Sequence, residues 1–389
     1  MNATIIGAGN IGRGFLGQLF AEADAAITFV ELDDAIAAAL QARRGYDIRI
    51  VGDETSVLHV PVARAICARD DEAAAHAVAE ADVAATAVGA AALPAVAALI
   101  ARALEQRLRE DRPPLNVVVC ENVLHSGRYL ASLVEKHLPD VLHLQLPRAA
   151  GFAAAVVSRM VPRPTEAQRS ADPLTIPVEP YCILPVDAAA FLGERPAVPG
   201  FHYADNIVAL EEQKAYTHNA GHSMLAYLGY QRGHTYIWEA IDDQAVRHAV
   251  EAALDETSRA LIERHGFDPA EQQEHVEDLF RRYANRALGD TIARVARDPI
   301  RKLHRDERLI GSARLALEHG ITPTAIVDGI VAALRYDHPD DAQAHQLQAL
   351  IREQGVGAVL RECCGLDENE WLTREIETRF LRATKGAPS

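Results

Sequence analysis

The stretch "KAYTHNAGH", residues 214–222, gathers Lys214, His218, Asn219 and His222. Three chemistries compete for it. His218 and His222 are spaced i, i+4, so both rings can share one helix face and hold a metal. The residue beside His218 is Asn219, however, and the spacing offers no third ligand, which a catalytic zinc requires. The second reading is acid–base work. A lysine can exchange a proton with a hydroxyl once burial or a neighbouring cation lowers its pKa from ~10.4 toward the working pH. Asn219 could donate to a developing alkoxide or to a ketone oxygen, and Asn122, elsewhere in the chain, could do the same. His222 could fix a substrate hydroxyl, and Gly221 would leave room at the backbone. The third reading is a solvated polar helix face. Geometry complicates the second. At about 100° per residue, Asn219 lies about 140° around an α-helix from Lys214, and His222 about 60° from Asn219. A break or a new helix start between Lys214 and Asn219 is therefore expected, or else a long lysine reaching around.

Such residues need a scaffold, and the N-terminus supplies one candidate. Ala3 to Ile6 is a short, branched apolar run, read as a buried strand. Gly7-Ala8-Gly9-Asn10-Ile11-Gly12 follows, and then Phe15, Leu16, Leu19 and Phe20 recur at helical spacing. Strand, glycine turn and helix in that order form a dinucleotide fingerprint. Gly7 permits the turn, Gly9 lets the backbone approach a pyrophosphate, and Gly12 lets the helix pack on the sheet. The anion then lies on the helix N-terminus. The run "AAITFVELDD" forms a second strand ending at Glu31, a carboxylate placed for ribose hydroxyls and hostile to a 2′-phosphate. NAD is therefore expected rather than NADP. Arg13 argues the other way, unless it faces the pyrophosphate.

"ADVAATAVG" (81–89) reads as a buried strand ending at Ala87, Val88 and Gly89, where a cofactor would cross the sheet edge. "LNVVVCENV" (115–123) is another, placing Asn122 beyond its carboxyl end, where ligands bind in open α/β sheets. Residues 147–164 read as loop, and "DPLTIPVEPYCILPVD" (172–187) as one two-sided edge strand. After Gly200 the period becomes helical, with Gly266 and Gly320 as helix stops. The expected fold is α/β: a Rossmann-type dinucleotide-binding domain over 1–190, then a mostly α-helical domain over 191–389 carrying the catalytic stretch.

The net charge of −16 excludes a general nucleic-acid binder, which needs a basic face. It leaves room for an anionic small molecule held by local arginines. No apolar run is long enough for a membrane span. The odd set Cys67, Cys120, Cys182, Cys363 and Cys364, with no CxxC pair, and the absence of a leader pattern point to a reducing, cytoplasmic setting.

The segments "GAGNIGRGF", "TAVG", "CENVLHSG", "DPLTIPVEP", "KAYTHNAGHSMLAYLGYQRGH" and "RDPIRKLHRDERLIGSARLALEHG" resemble the polyol-specific long-chain dehydrogenases of the mannitol dehydrogenase superfamily. Within these, the length suits the branch acting on mannitol 1-phosphate. The resemblance runs through nearly the whole chain, and Lys-x4-Asn-x2-His is the family's signature. It implies metal-free, NAD-dependent interconversion of mannitol 1-phosphate and fructose 6-phosphate, in a cleft between the two domains. Lys214 then matches the general acid/base, Asn122 and Asn219 the pair stabilising the oxyanion, and His222 a substrate-hydroxyl contact. Asn122 would face the catalytic stretch across that cleft. Arg301 and Arg308 fall where relatives place basic substrate contacts, and paired arginines suit a phosphate. His218 lies outside the signature. One departure concerns the substrate: Ser158 stands where relatives usually carry an aspartate that contacts the polyol.

Three alternatives remain beside this reading: a hexuronate reductase, a dehydrogenase of unphosphorylated polyols, and a NAD-binding sensor without turnover. Expected partners are a hexitol phosphate and a ketohexose phosphate, with the chain acting as a monomer or a dimer.

Overall fold

The computed structural model describes residues 1–52, 54–162 and 164–385. They fall into two compact units, Met1–Glu211 and a second that begins at Glu212.

The strands of the first unit are β1 (Asn2–Ile6), β2 (Ala26–Glu31), β3 (Gly45–Val51), β4 (Thr55–Pro61), β5 (Arg64–Cys67), β6 (Val83–Thr86), β7 (Leu115–Val119), β8 (Ala150–Ala154), β9 (Ile176–Val178), β10 (Leu184–Asp187) and β11 (Phe201–Ala204). Six of them form a wholly parallel sheet in the order β5-β2-β1-β6-β7-β8. This is the doubly wound order of dinucleotide-binding domains. Its strands are apolar on both faces because helices cover both. Ile5, Phe29, Ala85 and Val118 pack on one side with Phe15 and Leu19, while their chain neighbours Ile6, Val30, Ala84 and Val119 pack on the other with Val78 and Leu104. Each fully buried Ile, Val, Leu or Phe among them contributes about 1.5–3 kcal/mol. A three-stranded sheet, β4-β3-β9, packs on the glycine-rich helix: Tyr46 on β3 donates its hydroxyl to the Arg13 carbonyl at 2.7 Å.

Two segments differ from the sequence reading. Ala150–Ala154 is the sixth strand of the main sheet, not loop. Its sequence, AGFAA, has low strand propensity and gains its conformation from pairing with β7. Residues 172–187 are not one edge strand. They hold β9, which pairs with β3, and β10, which pairs with β11. Pro180, between them, ends the first run.

The second unit is helical. The helix Ala220–Gln231 buries Met224, Leu225, Ala226 and Tyr227. Gln244–His265 is capped by the Asp243 side chain, which accepts from Ala245 and Val246 N–H, and it ends at Gly266, with φ 69°. Pro269–Tyr283, Ile310–Glu318 and Thr324–Leu334 pack around these two. Among the described residues no helix is long and apolar enough to cross a membrane.

Candidate active site

In the first unit the expected cofactor residues meet at the carboxyl edge of the parallel sheet. Gly7 turns the chain off β1 with φ 98°, and a Cβ there would lie 2.6 Å from the Ala87 carbonyl oxygen. Gly12 is tighter, since its Cβ would lie 1.9 Å from the Gly7 carbonyl oxygen. Gly9 is the opposite case: a Cβ there meets nothing within 4 Å, so the backbone is bare toward open space. Asn10 and Ile11 begin the helix just beyond it. An exposed glycine followed by a helix N-terminus fits a pyrophosphate.

Glu31 closes the loop. One carboxylate oxygen accepts from Ala8 N–H at 2.5 Å and the other from Asp33 N–H at 2.8 Å. Each oxygen keeps a lone pair that a ribose hydroxyl can use. Arg13 does not face this site. It is buried, and it donates to the carbonyls of Ala8, Pro173 and Leu174 at 2.6, 2.9 and 2.7 Å. Burial holds its pKa below the usual arginine value. Its presence in the fingerprint is structural, and it offers nothing to a 2′-phosphate.

Ala87, Val88 and Gly89 follow β6, with Gly89 at φ 85°. A residue missed in the sequence positions them. Glu121 is buried, accepts from the Thr86 hydroxyl at 2.5 Å and accepts from Val88 N–H at 3.0 Å. Burial raises its pKa, against those hydrogen bonds. Its neighbour Asn122 is exposed beyond the end of β7. The loop carrying Asn122 is anchored where His125 N–H donates to buried Glu211 at 3.2 Å.

The helix carrying Lys214 does not break before Asn219. It runs through Ile207–Gln213, widens into a π-helix over Lys214–Asn219 and continues as α over Ala220–Gln231. In a π turn each N–H bonds five residues back, and such turns cluster at functional sites. The Ala220 N–H accordingly reaches the Ala215 carbonyl. Lys214 and Asn219 stand one such turn apart, which removes most of the offset an α-helix would impose. His222 follows at i+3 from Asn219, the spacing of neighbours on a helix surface. Two buried hydroxyls serve carbonyls along the widened stretch: Thr217 donates to the Gln213 carbonyl at 2.5 Å and Ser223 to the Asn219 carbonyl at 2.8 Å. Gly221 leaves no room for a ligand. Its Cβ would lie 3.1 Å from Leu254, so the small residue serves helix packing.

His222 lies with Nε2 3.0 Å from Asp290 Oδ2. Its ring stacks on Tyr283 with centroids 5.1 Å apart, and Tyr283 donates to the His218 carbonyl at 2.7 Å. His218 is buried, with ring centroids 6.2 Å from His222. Burial drives its pKa well below the ordinary histidine value, helped by Arg282, His222, Lys214 and His275. A neutral ring suits burial beside Arg282 and Lys214. Among the described residues no three His, Cys, Asp or Glu side chains converge in a metal-binding arrangement.

Arg301 and Arg308 are brought together. Both pair with Glu307, at 3.4 and 3.2 Å respectively. The Arg308 side chain is only 11 % exposed and that of Arg301 46 %. Lys302 between them is buried, and its pKa is pushed down to about 7 by burial, Arg308 and Arg301. The segment that carries them abuts the π turn, since a Cβ on Gly311 would meet the Tyr216 ring at 2.7 Å.

Glu121, Asp290, Tyr283 and Glu307 were not legible as site residues. Glu121 and Glu307 adjoin singled-out residues but carry no spacing signal. Asp290 and Tyr283 reach His222 only through tertiary packing.

Comparison with known proteins places the chain in a family. The Mannitol dehydrogenase Rossmann domain family matches residues 1–200 and the Mannitol dehydrogenase C-terminal domain family residues 206–383. The mannitol-1-phosphate 5-dehydrogenase of Brevibacillus brevis is 39 % identical over 390 residues, covering 100 % of both chains. Among solved structures, the chain resembles Pseudomonas fluorescens mannitol 2-dehydrogenase in ternary complex with NAD and D-mannitol, at 19 % identity and a TM-score of 0.78, covering 99 % of this chain and 91 % of that one. It also resembles a substrate-free D-sorbitol dehydrogenase at 18 % identity and a TM-score of 0.79, covering 98 % of this chain and 93 % of that one. Two family matches that together span almost the whole chain, and a full-length relative, lead to one conclusion: the chain belongs to the mannitol dehydrogenase family.

Proposed function

We propose that this protein is an NAD-dependent oxidoreductase that interconverts D-mannitol 1-phosphate and D-fructose 6-phosphate. The observation that carries the reading is the full-length relative of that activity, 39 % identical and without a length difference to explain away. The exposed Gly9, the Glu31 carboxylate and the engaged Arg13 support NAD as the cofactor. Gly9 and Glu31 would hold NAD, which when bound would supply or accept the hydride at the substrate carbon, and the remaining work falls to the side chains.

In the reducing direction Lys214 gives a proton to the oxygen that becomes the alcohol, and in the oxidising direction it takes that proton back. Asn122 and Asn219 donate side-chain N–H bonds to the same oxygen, where negative charge grows in the transition state. His222 holds a hydroxyl of the sugar chain. Arg301 and Arg308, both paired with the Glu307 carboxylate in the structure, receive the phosphate in its place. The π turn supports these roles because it sets Lys214 and Asn219 on one side of a single helix. A reducing, cytoplasmic setting belongs to the same reading, supported by five cysteines without a disulfide.

The test is NADH oxidation with fructose 6-phosphate, fructose and fructuronate, compared by kcat/KM. Fructose 6-phosphate is expected to be the best of the three. Equal or better use of an unphosphorylated ketose would overturn the phosphate assignment. NADH binding without turnover of any ketose would favour a sensor.

A further inference from the structure

The residue that fixes how His222 presents itself lies outside the signature helix. Asp290 is buried, and its two oxygens are divided between two partners. Oδ1 accepts from Arg294 Nε at 2.6 Å, and Oδ2 lies 3.0 Å from His222 Nε2. Burial opposes the charge on Asp290, but His222 and Arg294 outweigh it and hold its carboxyl well below the usual range. His222 Nε2 and Asp290 Oδ2 are both shut off from solvent, and among the described residues neither makes a well-aligned hydrogen bond. The contact is close but not aligned, as catalytic hydrogen bonds often are before substrate arrives. The Asp290 backbone is itself fixed, since its carbonyl accepts from Ile237 N–H at 2.9 Å.

We propose that Asp290 is a positioning residue for the reaction: it holds His222 with the proton on Nε2, so that Nδ1 is presented as an acceptor for a substrate hydroxyl. An ionised carboxylate can only accept, so the nitrogen facing it must carry the hydrogen. In a neutral imidazole the other nitrogen then bears the lone pair. Tyr283 completes the holder by stacking on the ring face, with an interplanar angle of 26°. Arg294 keeps Asp290 ionised and stops it from turning away. The four side chains make one rigid bracket, and a sugar hydroxyl is recognised by a nitrogen whose proton state was set beforehand. This inference rests on the assignment of His222 as a substrate contact.

Two measurements test it. The first uses the unmodified protein: 15N chemical shifts of the histidine rings at neutral pH, with His222→Gln to assign the signal. The Nε2–H form of His222 is expected, and an Nδ1–H form would overturn the proposal. This readout needs no substrate, so it stands apart from the reaction assignment. The second is a mutant cycle. Asp290→Asn is expected to lower kcat/KM for the ketose phosphate about 10- to 100-fold, as losses of orienting partners do. KM should carry more of the change than kcat, and NADH binding should be retained. The double variant Asp290→Asn/His222→Ala should be no worse than His222→Ala alone. Multiplying losses would show that Asp290 acts independently of His222 and would overturn the proposal. Should Asp290→Asn fold poorly, Arg294→Gln loosens the same carboxylate and should show the same non-additivity with His222→Ala.

Discussion

Gly9 and Gly12 lie in one turn and have the same side chain, yet the structure assigns them opposite consequences on substitution. A Cβ on Gly12 would lie 1.9 Å from the Gly7 carbonyl oxygen, a backbone atom that cannot step aside. Gly12→Ala must therefore move the helix or the turn, and overpacking of this kind costs about 1–3 kcal/mol or more. At about 2–4 °C per kcal/mol for a domain of this size, melting should fall by several degrees. A Cβ on Gly9 meets nothing within 4 Å, and the backbone there is outside the left-handed region. Gly9→Ala should leave the melting temperature of the free protein unchanged. Its methyl group occupies the space through which a pyrophosphate must reach the backbone. The same 1–3 kcal/mol is then charged to the complex, so the Kd for NADH should rise about 10- to 100-fold. Differential scanning fluorimetry gives the first number and titration of NADH fluorescence the second. Wild-type NADH affinity in Gly9→Ala would refute the placement of the pyrophosphate on this turn.

Two further outcomes are expected. Arg308→Ala should raise KM for fructose 6-phosphate by about tenfold or more, since charge-assisted contacts are worth about 1.5–3 kcal/mol, and it should leave fructose turnover nearly unchanged; an equal effect on both substrates would remove Arg308 from the phosphate site. Acid should destabilise the protein well above the carboxylate range, because burial and Arg282 push His275 from 6.5 down to about 4 and His218 is depressed as well. A histidine whose folded pKa lies below its unfolded value stabilises fully above the unfolded pKa and loses that contribution as pH falls toward the folded one, here from about 6.5 to about 4. Urea midpoints should therefore drop between pH 7 and pH 5, His275→Leu should lessen the drop, and a flat profile would contradict the buried neutral histidines.

What could be read in the sequence was local. The strand, glycine turn and helix at residues 2–22, and Glu31 at the end of the next strand, follow from patterns within a few residues, and the structure has them in place. The mismatch between Lys214 and Asn219 was visible as an angle that an α-helix cannot satisfy. The remedy was not, because a π turn leaves the apolar period nearly intact. It arises where Thr217 and Ser223 can serve backbone carbonyls. β8 went unseen because alanine and glycine adopt a strand there only through their neighbour β7. Glu121 and Asp290 were hidden for a related reason: a buried carboxylate is recognised by what surrounds it, and those partners come from other strands and helices. Arg301 and Arg308 were singled out by resemblance, and their joint pairing with Glu307 belongs to the fold alone.

The proposed reaction turns on Lys214 as the group that moves the proton. It is tested most directly by single-turnover NADH oxidation with fructose 6-phosphate in Lys214→Ala, alongside NADH binding by the same variant. A rate lower by about two orders of magnitude or more is expected, with NADH binding intact. A near-normal rate in Lys214→Ala would contradict it.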